Sequence, residues 1–99
     1  MKFSRTDRGN QTTLAIEGSL DAVSAPEIRP AIDEIIAERR PQVVVDLAGL
    51  DLIDSSGVAV IVSLYKRLRA NHCEFQVVGV RDQPLAIFKL LRMDRVFGL

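Results

Sequence analysis

The stretch that most constrains the fold is Gln42–Ala48, QVVVDLA, in which apolar residues follow one another instead of alternating with polar ones. A strand with one wet face reads apolar-polar-apolar. A run of three valines predicts a strand covered on both faces, in the middle of a parallel or mixed sheet. A parallel neighbour needs a crossover, and crossovers are usually helical. The run then passes through Gly49-Leu50-Asp51-Leu52-Ile53 to Asp54-Ser55-Ser56-Gly57, beyond which the periodicity changes.

Val58, Ile61, Val62, Tyr65 and Leu68 recur at helical spacing, Lys66, Arg67 and Arg69 mark the wet side, and Asn71 marks an end. Upstream, Thr12–Glu17 sets Thr12, Leu14 and Ile16 against Thr13, Ala15 and Glu17, which predicts a strand closed by Gly18. Phe3–Asp7 is expected to pair with it as an edge strand across a Gly9-Asn10 turn. Ile28, Ile32, Ile35 and Ile36 form one helical face, and Ser24-Ala25-Pro26-Glu27 has the form of a capping box. Pro30 predicts an irregular first turn in that helix.

Glu74–Val80 reads as a further strand. Asp82 or Gln83 before Pro84 starts a last helix with Ile87, Phe88, Leu90 and Leu91 on its core side, and Val96-Phe97-Gly98-Leu99 is expected to dock. The predicted order is ββαβαβα, an α/β fold with helices against a mixed sheet. One domain spanning residues 1–99 is expected from the length and from the absence of a linker or repeat.

Thirteen basic residues balance thirteen acidic ones. Neither sign forms a long block, which argues against direct nucleic-acid binding or an anionic membrane surface. No apolar segment approaches the roughly 20 residues that span a bilayer, and the N-terminus has no apolar signal core, so a soluble cytoplasmic protein is expected. Cys73 is the only cysteine, which excludes an internal disulfide. Beside the only histidine, His72, on a strand it would point to the opposite face, a poor arrangement for a metal, and neither a metal nor a cofactor is expected.

An enzyme would have to draw on few groups. Asp46, Asp51 and Asp54 cluster near the end of the central strand, where α/β folds place sites, but their spacing also fits a strand exit and solvated loop charges. A Ser-His-Asp site would need His72 to reach Ser55 or Ser56 across a helix that separates them by roughly 20 Å. There is no nucleophile elbow and no phosphate-binding loop with its lysine. Asp54-Ser55-Ser56-Gly57 itself has two readings. It can be a plain helix cap, or an anion-tolerant corner where unpaired N–H groups and the helix dipole would accept a phosphorylated serine.

VVVDLAGLDLIDSSGVAVIVSLYKRL resembles the signature of STAS domains, particularly of the small bacterial anti-sigma factor antagonists, and Gly18-Ser19-Leu20-Asp21 is similar to that family's Gly-Glu-Leu-Asp loop. Two positions depart from the pattern. Val58-Ala59 follows Gly57 where the family often has Leu-Gly, and Ser19 replaces an acidic residue. The resemblance implies a binding protein, not an enzyme. It implies that Ser55 is phosphorylated by an anti-sigma factor that is also a serine kinase and restored by a PP2C-type phosphatase. Asp21, Asp54, Ser55, Ser56, Gly57, Val58 and Ala59 are then the expected partner-binding residues. The alternative is an unphosphorylated STAS scaffold or subunit of a transporter or signalling assembly.

Overall fold

In the computed structural model, which describes residues 1–99, the chain runs β1 (Lys2–Arg8), β2 (Gln11–Leu20), α1 (Ala25–Glu38), β3 (Gln42–Asp46), β4 (Leu50–Ile53), α2 (Ser55–Ala70), β5 (Glu74–Val78), α3 (Asp82–Leu90) and α4 (Asp94–Phe97). The α/β class and the mixed sheet are as expected. A four-residue strand, β4, and a terminal helical turn, α4, add to the predicted order. Both are too short to show a period of their own.

β1 and β2 form the expected hairpin, with Arg8 opposite Gln11 and the turn made by Gly9, at φ 55°, and Asn10. β2 is the backbone of the sheet. It is antiparallel to β1, while Gln11–Ala15 runs parallel to β3 and Gly18–Leu20 runs parallel to β4. β3 lies between β2 and β5, in the predicted central place. Gly18 does not end β2 as expected. At φ 87°, it shifts the register between Gly18 and Ser19 and lets the strand continue to Leu20.

The helices cover one face of this sheet. Thr12, Leu14 and Ile16 are fully buried, as are Val43 and Val45 to within 1 %. Thr13, Ala15 and Val44, which point the other way, are only half-buried. The expectation that β3 is covered on both faces is therefore corrected. Val44 is a valine suited to a pleated strand on a sheet face that no helix covers.

α1 buries Ala25, Ile28, Ile32 and Ile35 against the sheet and is joined to α2 by the ion pair of Arg67 with Asp33, at 2.8 Å. Its start differs from expectation. Ser24 makes no capping bond to Glu27. The reciprocal box lies three residues earlier, where Asp21 Oδ1 accepts from the Ser24 N–H and Ser24 Oγ accepts from the Asp21 N–H, each at 2.9 Å. An extra turn at Asp21–Ser24 thus precedes the helix, and Pro30 falls inside a continuous helix.

Asn71 ends α2, and His72 takes the left-handed conformation at φ 61°. Its N–H donates to the Arg69 carbonyl and that of Cys73 to the Leu68 carbonyl, a Schellman closure. The tail docks as predicted. Phe97 packs edge-on to Phe88 and Tyr65, both with centroids at 5.6 Å, and lies 5.7 Å from Phe75. Such pairs add about 0.5–1.5 kcal/mol each beyond burial.

Candidate functional site

The Asp54–Gly57 corner is built by the close approach of α2 to the end of β2. Asp54 is in extended conformation and donates its N–H to the Leu20 carbonyl at 3.3 Å, while its carboxylate accepts the Gly57 N–H at 3.0 Å. Gly57 has no substitute here. A Cβ would overlap the Leu20 carbonyl oxygen and come within 2.6 Å of Ile53 Cγ1. The glycine therefore sets how tightly α2 starts against the sheet, and this fixes where the two serines stand.

Ser55 is the first residue of α2 and is exposed, whereas Ser56 is half-buried. The Ser55 hydroxyl forms no hydrogen bond within the protein, and the first N–H groups of a helix lack intrahelical acceptors. An anion on Ser55 would thus sit at the positive end of a 16-residue helix, beside the exposed Asp54 carboxylate. The same corner borders a hollow of about 280 Å³ between Asp21 and Asp54, with Leu20, Leu52 and Gln83 in its wall. Leu52 is 53 % exposed.

Asp21 and Asp54, far apart in sequence, therefore share one surface. The Asp21 carboxyl is held below its ordinary value, first by the Ser24 N–H bonded to it and also by the Val23 N–H, against a partial desolvation. Other expected members separate. Val58 is 5 % exposed and belongs to the core, because its position in the first turn of α2 faces the sheet, so the expectation that it contacts a partner is corrected. Gly57 is also buried, and Ala59 is exposed one turn from the corner.

Asp46 bends the chain by accepting the Ala48 N–H at 2.9 Å, and Asp51 is exposed. His72 and Cys73 lie at the far end of α2, in the turn and the residue that follow it, not on a strand as expected.

Gln83 is the contributor that sequence reasoning missed. From the first turn of α3 its amide spans the backbone of Ile53, Nε2 donating to the carbonyl and Oε1 accepting the N–H, both at 2.9 Å. It closes the free edge of β4 just before the corner, as a neighbouring strand would. A glutamine before a proline carries no sign of such a partner thirty residues away.

The protein-family model described as "Mlab, STAS domain" matches residues 3–99. The chain belongs to the STAS domain family. An anti-sigma-B factor antagonist of Listeria monocytogenes is 27% identical over 84 residues, covering 85% of this STAS domain and 74% of the relative. The crystal structure of an anti-sigma factor antagonist from Mycobacterium paratuberculosis superposes with a TM-score of 0.89 at 24% identity, over 97% of this chain and 81% of that one. The Bacillus cell fate determinant SpoIIAA in its phosphorylated form has the same fold, with a TM-score of 0.74 at 18% identity over 96% and 99% of the two chains.

Proposed function

We propose that this STAS domain is an anti-sigma factor antagonist that works in the cytoplasm and is switched by phosphorylation of Ser55. The observation that carries the proposal is the difference between the two serines. Neither hydroxyl is bonded within the protein, but Ser55 is exposed at the helix start while Ser56 is half-buried behind it. The relatives named anti-sigma factor antagonists support the partner class, and no helix of the chain is long and apolar enough to cross a membrane.

The unphosphorylated form binds an anti-sigma factor that is also a serine kinase, through Asp21, Asp54, the serines and Ala59, with Leu52 as the apolar contact. The kinase transfers the γ-phosphoryl of ATP to the Ser55 oxygen, releasing ADP and the hydroxyl proton. A PP2C-type phosphatase hydrolyses the ester. Phosphate adds about −1.5 to −2 charges, which the helix start tolerates in water at a gain of about 0.3–1 kcal/mol. Against a docked partner the same charge must be desolvated beside Asp54. A hundredfold loss of affinity needs only about 2.7 kcal/mol, so the switch requires no refolding.

The test is intact mass after incubation with ATP and the cognate kinase, for wild type, Ser55→Ala and Ser56→Ala. A gain of one phosphate that vanishes only in Ser55→Ala is expected. A gain that vanishes only in Ser56→Ala moves the acceptor, and no gain in any of the three favours a STAS scaffold or assembly subunit.

A further inference from the structure

The sheet face turned away from the helices is unused by the site, and its composition is ordered. The strand registers place Arg8, Gln11, Gln42 and Glu74 in one row across β1, β2, β3 and β5. They share the uncovered face, since Thr12 and Val43, the next residues after Gln11 and Gln42, point into the core. Toward the sheet centre the side chains are short: Thr13 and Val44, then Ala15 and Val78, all half-buried. Longer side chains at the row of Gln11, Gln42 and Glu74 wall a hollow of about 410 Å³ there. The first row has a cation at one edge and an anion at the other; exposed Gln76 stands beside Val44, and half-buried Asp46, which accepts the Ala48 N–H, stands between Ala15 and Val78.

We propose that this face is where a second copy of the chain binds, the two sheets stacking face to face. A two-fold axis running along the strands between β2 and β3 exchanges β1 with β5 and β2 with β3 in the same row. Arg8 of each copy then meets the partner's Glu74, and the ion pair forms twice. Edges of like sign would repel under that rotation, whereas edges of opposite sign attract at both ends of the row. Balanced formal charge, thirteen against thirteen, leaves no net repulsion between copies. Short central side chains allow the roughly 10 Å separation of stacked sheets.

Four strands of about five residues give a patch of roughly 17 by 19 Å, so the dimer is small and dissociates reversibly. The axis has a functional consequence. It keeps the C-terminal ends of β2 and β4 on the same side of the assembly, so both Asp54–Gly57 corners face one direction and are available to a partner with two sites.

Sedimentation velocity of the full chain over a dilution series tests this, with charge reversals at the two exposed edges. A concentration-dependent dimer is expected, weakened at least about tenfold by Arg8→Glu or Glu74→Arg alone and restored to within about threefold when both are combined. Circular dichroism confirms that each variant is folded. A monomer at every concentration up to the solubility limit overturns the proposal. So does a dimer that neither reversal weakens, or one that the double reversal fails to restore.

Discussion

Two corners of this STAS domain are made the same way and left in different states. At each, a strand ends at Asp, and the Asp carboxylate caps a helical start by accepting the N–H three residues on: Asp21 with Ser24, Asp54 with Gly57. At the first corner the serine is consumed by structure. Ser24 is 7 % exposed, and its hydroxyl accepts from the Asp21 N–H and donates to the Ser19 carbonyl, both at 2.9 Å. At the second, the equivalent position is a glycine pressed on the Leu20 carbonyl, and the serines stand earlier in the turn, where Ser55 has no bond to keep. A hydroxyl at a helix start is thus structural or available according to which position of the turn it occupies.

The largest effect should come from breaking the second corner. Gly57→Ala places a Cβ against the Leu20 carbonyl and Ile53, neither of which is a free-ended side chain, and should cost about 3 kcal/mol in urea unfolding. Next is the first corner. Ser24→Ala leaves the Asp21 N–H and Ser19 carbonyl without their partner in a buried turn and should cost about 2 kcal/mol. Asp54→Ala, which removes one capping bond, should cost about 1 kcal/mol. If Ser24→Ala cost no more than Asp54→Ala, the division into a closed and an open corner would fail.

Acid probes the first corner. The Asp21 carboxyl lies below its ordinary value of 3.8, chiefly through the Ser24 N–H, so its contribution is complete above that pH and is lost as pH falls through the lowered folded value. Asp7 behaves alike, held down first by Arg5 and then by Thr12 at the opposite end of β2. Asp21→Asn keeps an acceptor oxygen but cannot titrate. The stability gap between wild type and Asp21→Asn should therefore narrow below about pH 3.8 and hold constant between pH 5 and 7, as read from melting temperatures across that range. A gap that stays constant through the acid range would mean that the carboxylate is not bonded this way in solution.

How far this was legible in the sequence differs between the same corners. The second could be read almost whole, because Asp-Ser-Ser-Gly combines a capping residue with a glycine between two strongly patterned segments. What could not be read there was Val58, whose burial depends on how α2 rolls against the sheet, and Gln83, whose partner Ile53 is set by tertiary docking. At the first corner, Ser24–Glu27 matched a capping box in spacing, yet Asp21 lay three residues earlier with the same chemistry and a better-placed acceptor. Local patterns name the kind of bond, and competition between neighbouring candidates decides which forms. β4 escaped for a related reason. Its residues pair with the far half of β2, which became available only because Gly18 bends the strand without ending it.

The smallest stability change should accompany the largest functional one. Ser55→Ala removes a hydroxyl that is exposed and unbonded, so unfolding should shift by no more than about 0.5 kcal/mol. Ser55→Asp adds charge beside Asp54 at a helix start that favours anions, two opposing terms that leave stability similarly unmoved. Under the proposed switch the two variants nevertheless part in association with the anti-sigma factor kinase, Ser55→Ala retaining wild-type affinity and Ser55→Asp losing at least about tenfold, or 1.4 kcal/mol. Calorimetric titration of both variants measures this directly. Equal affinities would show that charge at Ser55 does not govern docking. A stability loss in Ser55→Ala as large as that of Ser24→Ala would show that the two corners are not different in kind, since the Ser55 hydroxyl would then be bonded in solution as Ser24 is.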